Sequence, residues 1–169
     1  SYYSSIRIIC PLSESEVESY FDEIDARIAE ISALMDGYET DLDKILFLHD
    51  YLVYTGEYDL DNLVAGTIPD DSYRSAGIIM KRVGVCQSYA YAFKYFMHRA
   101  GIECYVVASD EMNHAWNIVK LGQSYYHVDI TWDDPVYDRL GKVLHSYFLI
   151  SDSAISSGED NHYGWDRTD

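Results

Sequence analysis

Basic residues are scarce in this chain. Its 169 residues include 12 Lys and Arg against 29 Asp and Glu, so the formal net charge is −17. Nucleic acids and anionic membrane surfaces would be repelled by that charge, which argues against both as partners. The charge favours an amine-bearing or basic protein or peptide as the partner. A surface that is charged only for solubility is the alternative explanation.

Cysteine, proline and long apolar runs are also rare. The thiols Cys10, Cys86 and Cys104 are too few and too scattered for a disulfide framework or a cysteine-based zinc site. No apolar run approaches the roughly 20 residues of a membrane span. The first residues lack the pattern of a signal peptide. With three prolines and no repeats or linkers, we expect one domain over residues 1–169.

The chain does contain enough apolar material to fold. Hydrophobic residues make up 48% of it, and 17 residues are tyrosine, which is too many for a disordered chain. Ser13 and Glu16 form a capping-box pattern that predicts a helix ending near Gly37. Further elements expected in this half are a strand or arm over Tyr2–Ile9, a helix from Thr40 or Asp41 to about Tyr54, a loop over 55–72 and a short helix over 73–82.

The second half changes to strands after one more helix. Residues 87–100 are compatible with a helix, and Gly101 stands where a helix-ending glycine belongs. Gly122-Gln123 is a hairpin signal between two strand candidates. The predicted strands are Ile102–Ala108, His114–Leu121, Ser124–Trp132 and Ser146–Ile150. Helices followed by an antiparallel sheet predict an α+β fold.

Cys86 is the first candidate for chemistry. It follows Gly84-Val85 and stands at the first turn of a predicted helix, where free N–H groups and the helix dipole favour a thiolate. Gly84 would let the chain bend and a substrate approach the sulfur. By itself the cysteine has an alternative interpretation, because free cysteines among apolar residues are often inert core thiols.

The hairpin brings two further candidates together. If Gly122-Gln123 is the turn, Leu121 faces Ser124, and His114 and Asp129 become diagonal neighbours on one face of the sheet. An Asp that accepts a hydrogen bond from a His fixes the tautomer of the ring and stabilises the imidazolium. Cys86, His114 and Asp129 are therefore the predicted catalytic set. The alternative for His114 is a purely structural histidine.

Three blocks of sequence carry a resemblance. They read GVCQSYA at 84–90, HAWN at 114–117 and HVDITWDD at 127–134. They resemble the transglutaminase-like superfamily, and most of all its bacterial branch, over about residues 45–165. Residues 1–40 then form an N-terminal arm and helix. One departure is Ser88, where many members carry Gly.

The resemblance implies a papain-like core, with a nucleophile helix packed on an antiparallel sheet. It also implies a thiol enzyme of acyl transfer or hydrolysis on protein or peptide amides, either a cysteine peptidase or a transglutaminase-like amidase. Cys86 is then the nucleophile, His114 the base and Asp129 the orienting acid. No cofactor or metal is expected. The compartment and oligomeric state stay open; a secreted or cell-surface bacterial protein is one expectation.

Other roles follow from this mechanism. When a thiolate attacks a carbonyl carbon, the carbonyl oxygen becomes negatively charged. This oxyanion should accept hydrogen bonds from the Cys86 N–H and one further donor, for which Gln87 and Tyr58 are candidates. Trp116 could wall the cleft. Trp132 falls on the face opposite His114 in the predicted register, so we expect it in the core.

The remaining candidates are given structural roles. Cys104 is expected in the core and Cys10 as a bystander. We expect His49, His98 and His145 to lack acidic partners at metal spacing. Asp133-Asp134 should end a strand and shape a turn.

Two other functions stay open. One is a catalytically silent binding module of a larger surface or scaffold protein, since a fold does not settle function. The intact Cys86, His114 and Asp129 favour an enzyme instead. The other is de-N-glycosylation of asparagine by the same triad, which would need a sugar-binding region that the sequence does not show.

Overall fold

The structure is a computed structural model that describes residues 13–135, 142–158 and 160–165. The predicted strand at Tyr2–Ile9 and the thiol of Cys10 lie outside the described residues. None of the described helices has the length and apolar content needed to cross a membrane.

Helices fill the first half of the described chain. Helix α1 (Glu14–Met35) begins with the predicted capping box: Ser13 Oγ accepts from the Glu16 N–H at 3.3 Å, and Glu16 accepts from the Ser13 N–H at 2.7 Å. Helix α2 follows over Asp41–Thr55, with the Thr40 side chain as its N-cap. Both predicted helices are confirmed. In each of them the apolar stripe and the N-cap residue favour a helix over the same stretch of chain.

The nucleophile helix and the sheet follow. Strands β1 (Glu57–Tyr58) and β2 (Val83–Gly84) form a short parallel pair before helix α4 (Cys86–Arg99). A four-stranded antiparallel sheet has the order β3-β4-β5-β6. Its strands are β3 (Cys104–Ser109), β4 (His114–Leu121), β5 (Ser124–Val128) and β6 (Phe148–Ile150). Three short α-helices are α3 (Leu60–Ala65), α5 (Ile130–Asp133) and α6 (Asp152–Ile155). A 3-10 helix at Asp70–Tyr73 and a π-helical turn at Gly77–Lys81 complete the described fold, and the second of these lies within the short helix predicted over 73–82.

The core lies between α4 and the sheet and is closed by α2. Phe93 and Phe96 of α4 are fully buried in the same cluster as Leu48 of α2 and Val119 of β4. The buried amide of Asn117 donates to the Ala90 carbonyl at 3.0 Å and to the Tyr105 carbonyl at 3.1 Å. It therefore fastens the nucleophile helix to strands β3 and β4.

Two predicted elements need correction. The expected loop over 55–72 contains α3 and the short strand β1. The expected strand over Ser124–Trp132 ends at Val128, because the Asp129 side chain accepts from the Thr131 and Trp132 N–H groups and starts α5. The hairpin register itself is confirmed, with Leu121 paired to Ser124 and Asn117 paired to Val128.

Candidate active site

Cys86 is the first residue of α4. It is half-buried, and its N-cap Val85 provides no side-chain hydrogen bond to the first turn. The first-turn N–H groups and the positive end of the helix dipole therefore lie beside the thiol, as the sequence predicted.

Gly84 has a packing role in addition to the predicted one. A Cβ atom at this position would lie 2.6 Å from Ser88 Oγ and 2.7 Å from Ser88 Cβ. The glycine thus makes room for Ser88 within the fold. Ser88 is buried, donates to the Arg74 carbonyl at 2.7 Å and accepts from the Ile78 N–H at 3.2 Å. Ser88, which stands where many members of the family carry Gly, therefore holds residues 74–78 in place through two hydrogen bonds.

His114 begins strand β4 and connects the other two predicted catalytic residues. Its Nε2 lies 2.6 Å from Asp129 Oδ2, so the predicted meeting of these side chains is found. The other ring nitrogen, Nδ1, is therefore available to the Cys86 thiol. Burial lowers the pKa of His114, but hydrogen bonds and charge interactions with Asp129 and Cys86 outweigh it and raise the pKa to about 9. A pKa above 7 favours an imidazolium beside the thiol.

Asp129 is a fully enclosed carboxylate. Its Oδ1 accepts from the Thr131 N–H at 3.1 Å, the Thr131 hydroxyl at 2.7 Å and the Trp132 N–H at 3.3 Å. Burial raises the pKa of Asp129, but its hydrogen bonds, with those from His114 and His162 foremost, hold the pKa well below its usual range. The group is therefore a stable anion that can orient an imidazole.

His162 is a further member of the site, and no role was predicted for it. Its Nε2 lies 2.7 Å from Asp129 Oδ2, the oxygen that also accepts from His114. The ring is fully buried, with its centroid 4.2 Å from the Trp132 ring and 5.3 Å from the Tyr147 ring. The only signal for it was that the resemblance extends to about residue 165, and so includes this histidine.

Both tryptophan predictions need correction. Trp116 is 1% exposed, so it cannot wall an open cleft; its ring stacks on His114 at 5.6 Å from within a buried cluster. Trp132 is half-buried and lies 5.5 Å from the His114 ring. It reaches His114 because α5 replaces the end of the predicted strand and removes the alternation on which its placement relied.

The two oxyanion candidates lie in different surroundings. Tyr58 is half-buried beside Cys86. Burial, and to a smaller extent the charge of Cys86, raise the pKa of Tyr58 to about 12. A hydrogen bond with the Cys86 backbone acts in the other direction and lowers the pKa. Gln87 is exposed and lines a surface pocket with Arg74, Lys94 and three tyrosines. Tyr58 is thus the better placed of the two.

His49 and His145 form a second polar cluster with Asp50 and Asp133, which corrects the expectation that these two histidines lack acidic partners. His49 Nδ1 lies 2.8 Å from Asp50 Oδ1, and His49 Nε2 lies 3.2 Å from Asp133 Oδ2. His145 Nε2 lies 2.7 Å from Asp50 Oδ1. Burial lowers the pKa of His49, but the hydrogen bonds with Asp133 and Asp50 raise it overall.

The predicted turn at Asp133-Asp134 is instead a buried anchor. Asp133 is fully buried and accepts from the Tyr147 N–H at 3.1 Å, and Asp134 accepts from the Tyr89 hydroxyl at 2.7 Å. Cys104 is buried in the core as predicted, and burial raises the pKa of its thiol to about 12.

Comparison with known proteins gives the family. Residues 29–130 match the Transglutaminase-like superfamily, and the chain belongs to it. The expected membership and the expected α+β fold with an antiparallel sheet are therefore confirmed.

Individual relatives are distant. The chain is 25% identical over 142 residues to the human protein named kyphoscoliosis peptidase, covering 76% of this chain and 20% of that protein. The mouse protein of the same name is 23% identical over 142 residues, covering 70% of this chain and 21% of that protein. The chain thus spans about a fifth of the length of these curated relatives.

Two solved structures share the fold. A crystal structure of a TGase has a TM-score of 0.53 and 16% identity, covering 71% of this chain and 34% of that one. A candidate cysteine protease from Cytophaga hutchinsonii has a TM-score of 0.50 and 17% identity, covering 79% of this chain and 46% of that one. At these identities the likeness concerns the fold alone.

Proposed function

We propose that the chain is a thiol enzyme that transfers or hydrolyses acyl groups of protein or peptide amides through Cys86, His114 and Asp129. One arrangement carries the proposal: His114 donates to buried Asp129 at 2.6 Å and has its other ring nitrogen available to Cys86, at the N-terminus of α4. A thiol beside a base that is itself held by a buried acid is the recurring arrangement of activated nucleophiles, which supports this assignment.

The chemistry takes two steps. The Cys86 thiolate attacks the carbonyl carbon of a carboxamide or peptide bond, and the tetrahedral oxyanion is stabilised by the Cys86 N–H and the Tyr58 hydroxyl. The C–N bond then breaks, His114 gives its proton to the departing ammonia or amine, and a thioester remains. In the second step His114 takes a proton from an amine or water, which attacks the thioester. The C–S bond breaks and the thiolate returns.

The acceptor decides which activity results. An amine acceptor gives transamidation, whereas water gives deamidation or proteolysis. The name of the human relative, a peptidase, supports the hydrolytic outcome. The net charge of −17 supports an amine-bearing or basic substrate, because such groups are attracted by the protein's field.

A mass-spectrometric assay tests the proposal. The protein and its Cys86→Ala variant are incubated with glutamine-containing peptides of basic and acidic sequence, with and without a primary amine. We expect a thioester on Cys86 and a product that is conjugated, deamidated or cleaved, and neither with the variant. Absence of both thioester and product, with peptide binding equal in the two proteins, would instead support the catalytically silent binding module.

A further inference from the structure

A cluster of metal-ligand side chains lies outside the proposed triad, where α2 meets the segment that leads to β6. It consists of His49, Asp50 and His145, each of which offers one ligand atom within 4.8 Å of those of the other two. His49 and Asp50 are adjacent on α2, while His145 reaches Asp50 from 95 residues further along the chain. The mechanism proposed above uses none of the three.

The spacing of these atoms is close to that of a metal site. Zinc binds imidazole nitrogen and carboxylate oxygen at roughly 2.0–2.2 Å, so neighbouring ligand atoms in a tetrahedron are about 3.4 Å apart. The Nδ1–Oδ1 and Nε2–Oδ1 distances here are 2.8 and 2.7 Å. Each therefore has to widen by well under 1 Å. The side chains of Asp50 and His145 can make this movement, because they are 39% and 43% exposed.

The other nitrogen of His49 has the partner that a metal-bound histidine usually has. His49 Nε2 lies 3.2 Å from Asp133 Oδ2, and both side chains are fully buried. Both Asp133 oxygens lie 3.1 Å from the Tyr147 N–H, which holds the carboxylate in place. A carboxylate behind a ligating histidine fixes the ring and makes its free nitrogen a better ligand. In this cluster that nitrogen is Nδ1, which faces Asp50.

Charge also favours a cation at this position. In the described part of the chain, Asp50 forms ion pairs with His49 and His145, and Asp133 with His49, but neither forms one with Lys or Arg. When a metal displaces the protons that face it and both rings are neutral, the two carboxylates leave a charge of −2, which a divalent ion balances. The net charge of −17 adds a long-range attraction for cations. Calcium and magnesium prefer all-oxygen sites, so the two imidazoles select a first-row transition ion.

We propose that His49, Asp50 and His145 bind a divalent transition metal ion, with Zn²⁺ as the expected ion and water as the fourth ligand. Asp133 is the positioning residue behind His49. The ion would join α2 to the segment before β6. This proposal does not rest on the enzymatic function, because none of its ligands belongs to the triad.

The test uses the Cys86→Ala protein, so that the thiolate cannot bind the metal. Zn²⁺ binding is measured by titration calorimetry, and Co²⁺ binding by visible absorption and by X-ray absorption of the metal. We expect one saturable ion with nitrogen and oxygen ligands, and a higher melting temperature with Zn²⁺. His145→Ala should weaken Zn²⁺ binding by at least tenfold and abolish the shift in melting temperature. His98→Ala serves as the matched control, because His98 is exposed and bonds the Cys104 carbonyl instead.

Three results would overturn the proposal. One is no saturable binding, in which case the cluster is held by hydrogen bonds alone. The second is unchanged affinity in His145→Ala. The third is binding lost in His162→Phe but kept in His145→Ala, because His114, Asp129 and His162 also offer three close ligand atoms. The more conservative Asp50→Asn replaces His145→Ala if the latter unfolds, since it keeps the shape of the side chain but weakens metal binding.

Discussion

His162 and Asp129 share a fully buried hydrogen bond, with Nε2 of the ring 2.7 Å from Oδ2 of the carboxylate. The same oxygen accepts from His114 at 2.6 Å, so two imidazoles converge on one oxygen atom. Nδ1 of His162 has no hydrogen-bond partner among the described residues. Because a carboxylate can only accept, the Nε2 of His162 carries the proton, and the ring acts as a fixed donor that orients Asp129.

This geometry predicts a positioning role for His162. Replacement by Phe keeps a buried ring but removes the donor, while replacement by Gln keeps an N–H group near the position of Nε2. We expect His162→Phe to lower kcat by about tenfold or more, since a hydrogen bond to a charged group contributes about 1.5–3 kcal/mol. His162→Gln should recover much of that loss.

The pH profile separates positioning from simple destabilisation. With the donor removed, the orientation of Asp129 and the pKa of His114 change, so the alkaline limb of the kcat profile should move in His162→Phe and return in His162→Gln. Equal kcat losses in both variants, with an unmoved profile and a lower melting temperature, would show that His162 only packs the core.

The raised pKa of His114 predicts how stability depends on pH. The pKa is about 9 in the folded protein and about 6.5 when unfolded. The stabilisation from charged His114 is therefore fully present below about pH 6.5 and is lost as pH rises through 9. The shift corresponds to a contribution on the order of 3 kcal/mol. Urea unfolding of the protein and of His114→Gln, from pH 6 to 10, measures it.

In that experiment the difference in free energy of unfolding between the two proteins should shrink across pH 7 to 10. The kcat/KM of the unmodified protein should fall over the same range, because His114 must be charged to donate its proton. A stability difference that is constant with pH would contradict an imidazolium at this position.

Much of this site could be predicted because it depends on local rules. The two-residue turn at Gly122-Gln123 fixes the hairpin register, and that register brings His114 to Asp129. The prediction that the strand continues to Trp132 was wrong. Asp129 leaves the sheet to cap α5, so Trp132 contacts His114 instead of lying on the opposite face. A capping aspartate inside an apparent strand was the overlooked signal.

Gly84 and Ser88 predict a coupled pair of substitutions. Gly84→Ala should destabilise the protein by about 1–3 kcal/mol, because the new Cβ would lie 2.6 Å from Ser88 Oγ. With Ser88→Gly the next atom from that Cβ is Ile78 Cβ at 3.5 Å, an ordinary contact. The cost of Gly84→Ala should then fall below about 1 kcal/mol. A double-mutant cycle of chemical unfolding measures this coupling.

The result of that cycle also tests whether Gly84 makes room for Ser88 or lets a substrate approach the thiol. Ser88→Gly alone should destabilise, because the Arg74 carbonyl and the Ile78 N–H lose their buried partner. If Gly84→Ala is tolerated in both backgrounds but abolishes activity, Gly84 serves substrate approach, as the sequence first suggested. An equal cost in both backgrounds would rule out the contact with Ser88.

The oxyanion donor can be assigned with two substitutions. Tyr58→Phe should lower kcat by about 10²–10³, the usual effect of removing one oxyanion donor. Alkylation of Cys86 should stay within a few-fold of its usual rate, since that reaction forms no oxyanion. Gln87→Ala should change kcat little, because Gln87 is exposed and lines a separate pocket. The opposite order of effects would assign the role to Gln87.

Contacts between residues that are far apart in the chain could not be predicted from the sequence. His162 lies 33 residues from Asp129, and His49 lies 84 residues from Asp133, so no periodicity or turn rule connects them. Tertiary packing brings these pairs together once the core has formed. Trp116 illustrates the same limit, because its position in the strand could not show that α6 and Trp165 would cover it.

The state of the Cys86 thiol is the central claim, and its alkylation rate tests that claim most directly. The protein is labelled with a limiting thiol alkylator from pH 5 to 10, and the sites are mapped by mass spectrometry. An ordinary thiol titrates near pH 8.5, and burial raises the pKa of Cys104 to about 12, which makes Cys104 the internal control. Selective labelling of Cys86 below pH 7, lost in His114→Ala, is the result we predict. Slow labelling of all cysteines alike, unchanged in His114→Ala, would contradict the account.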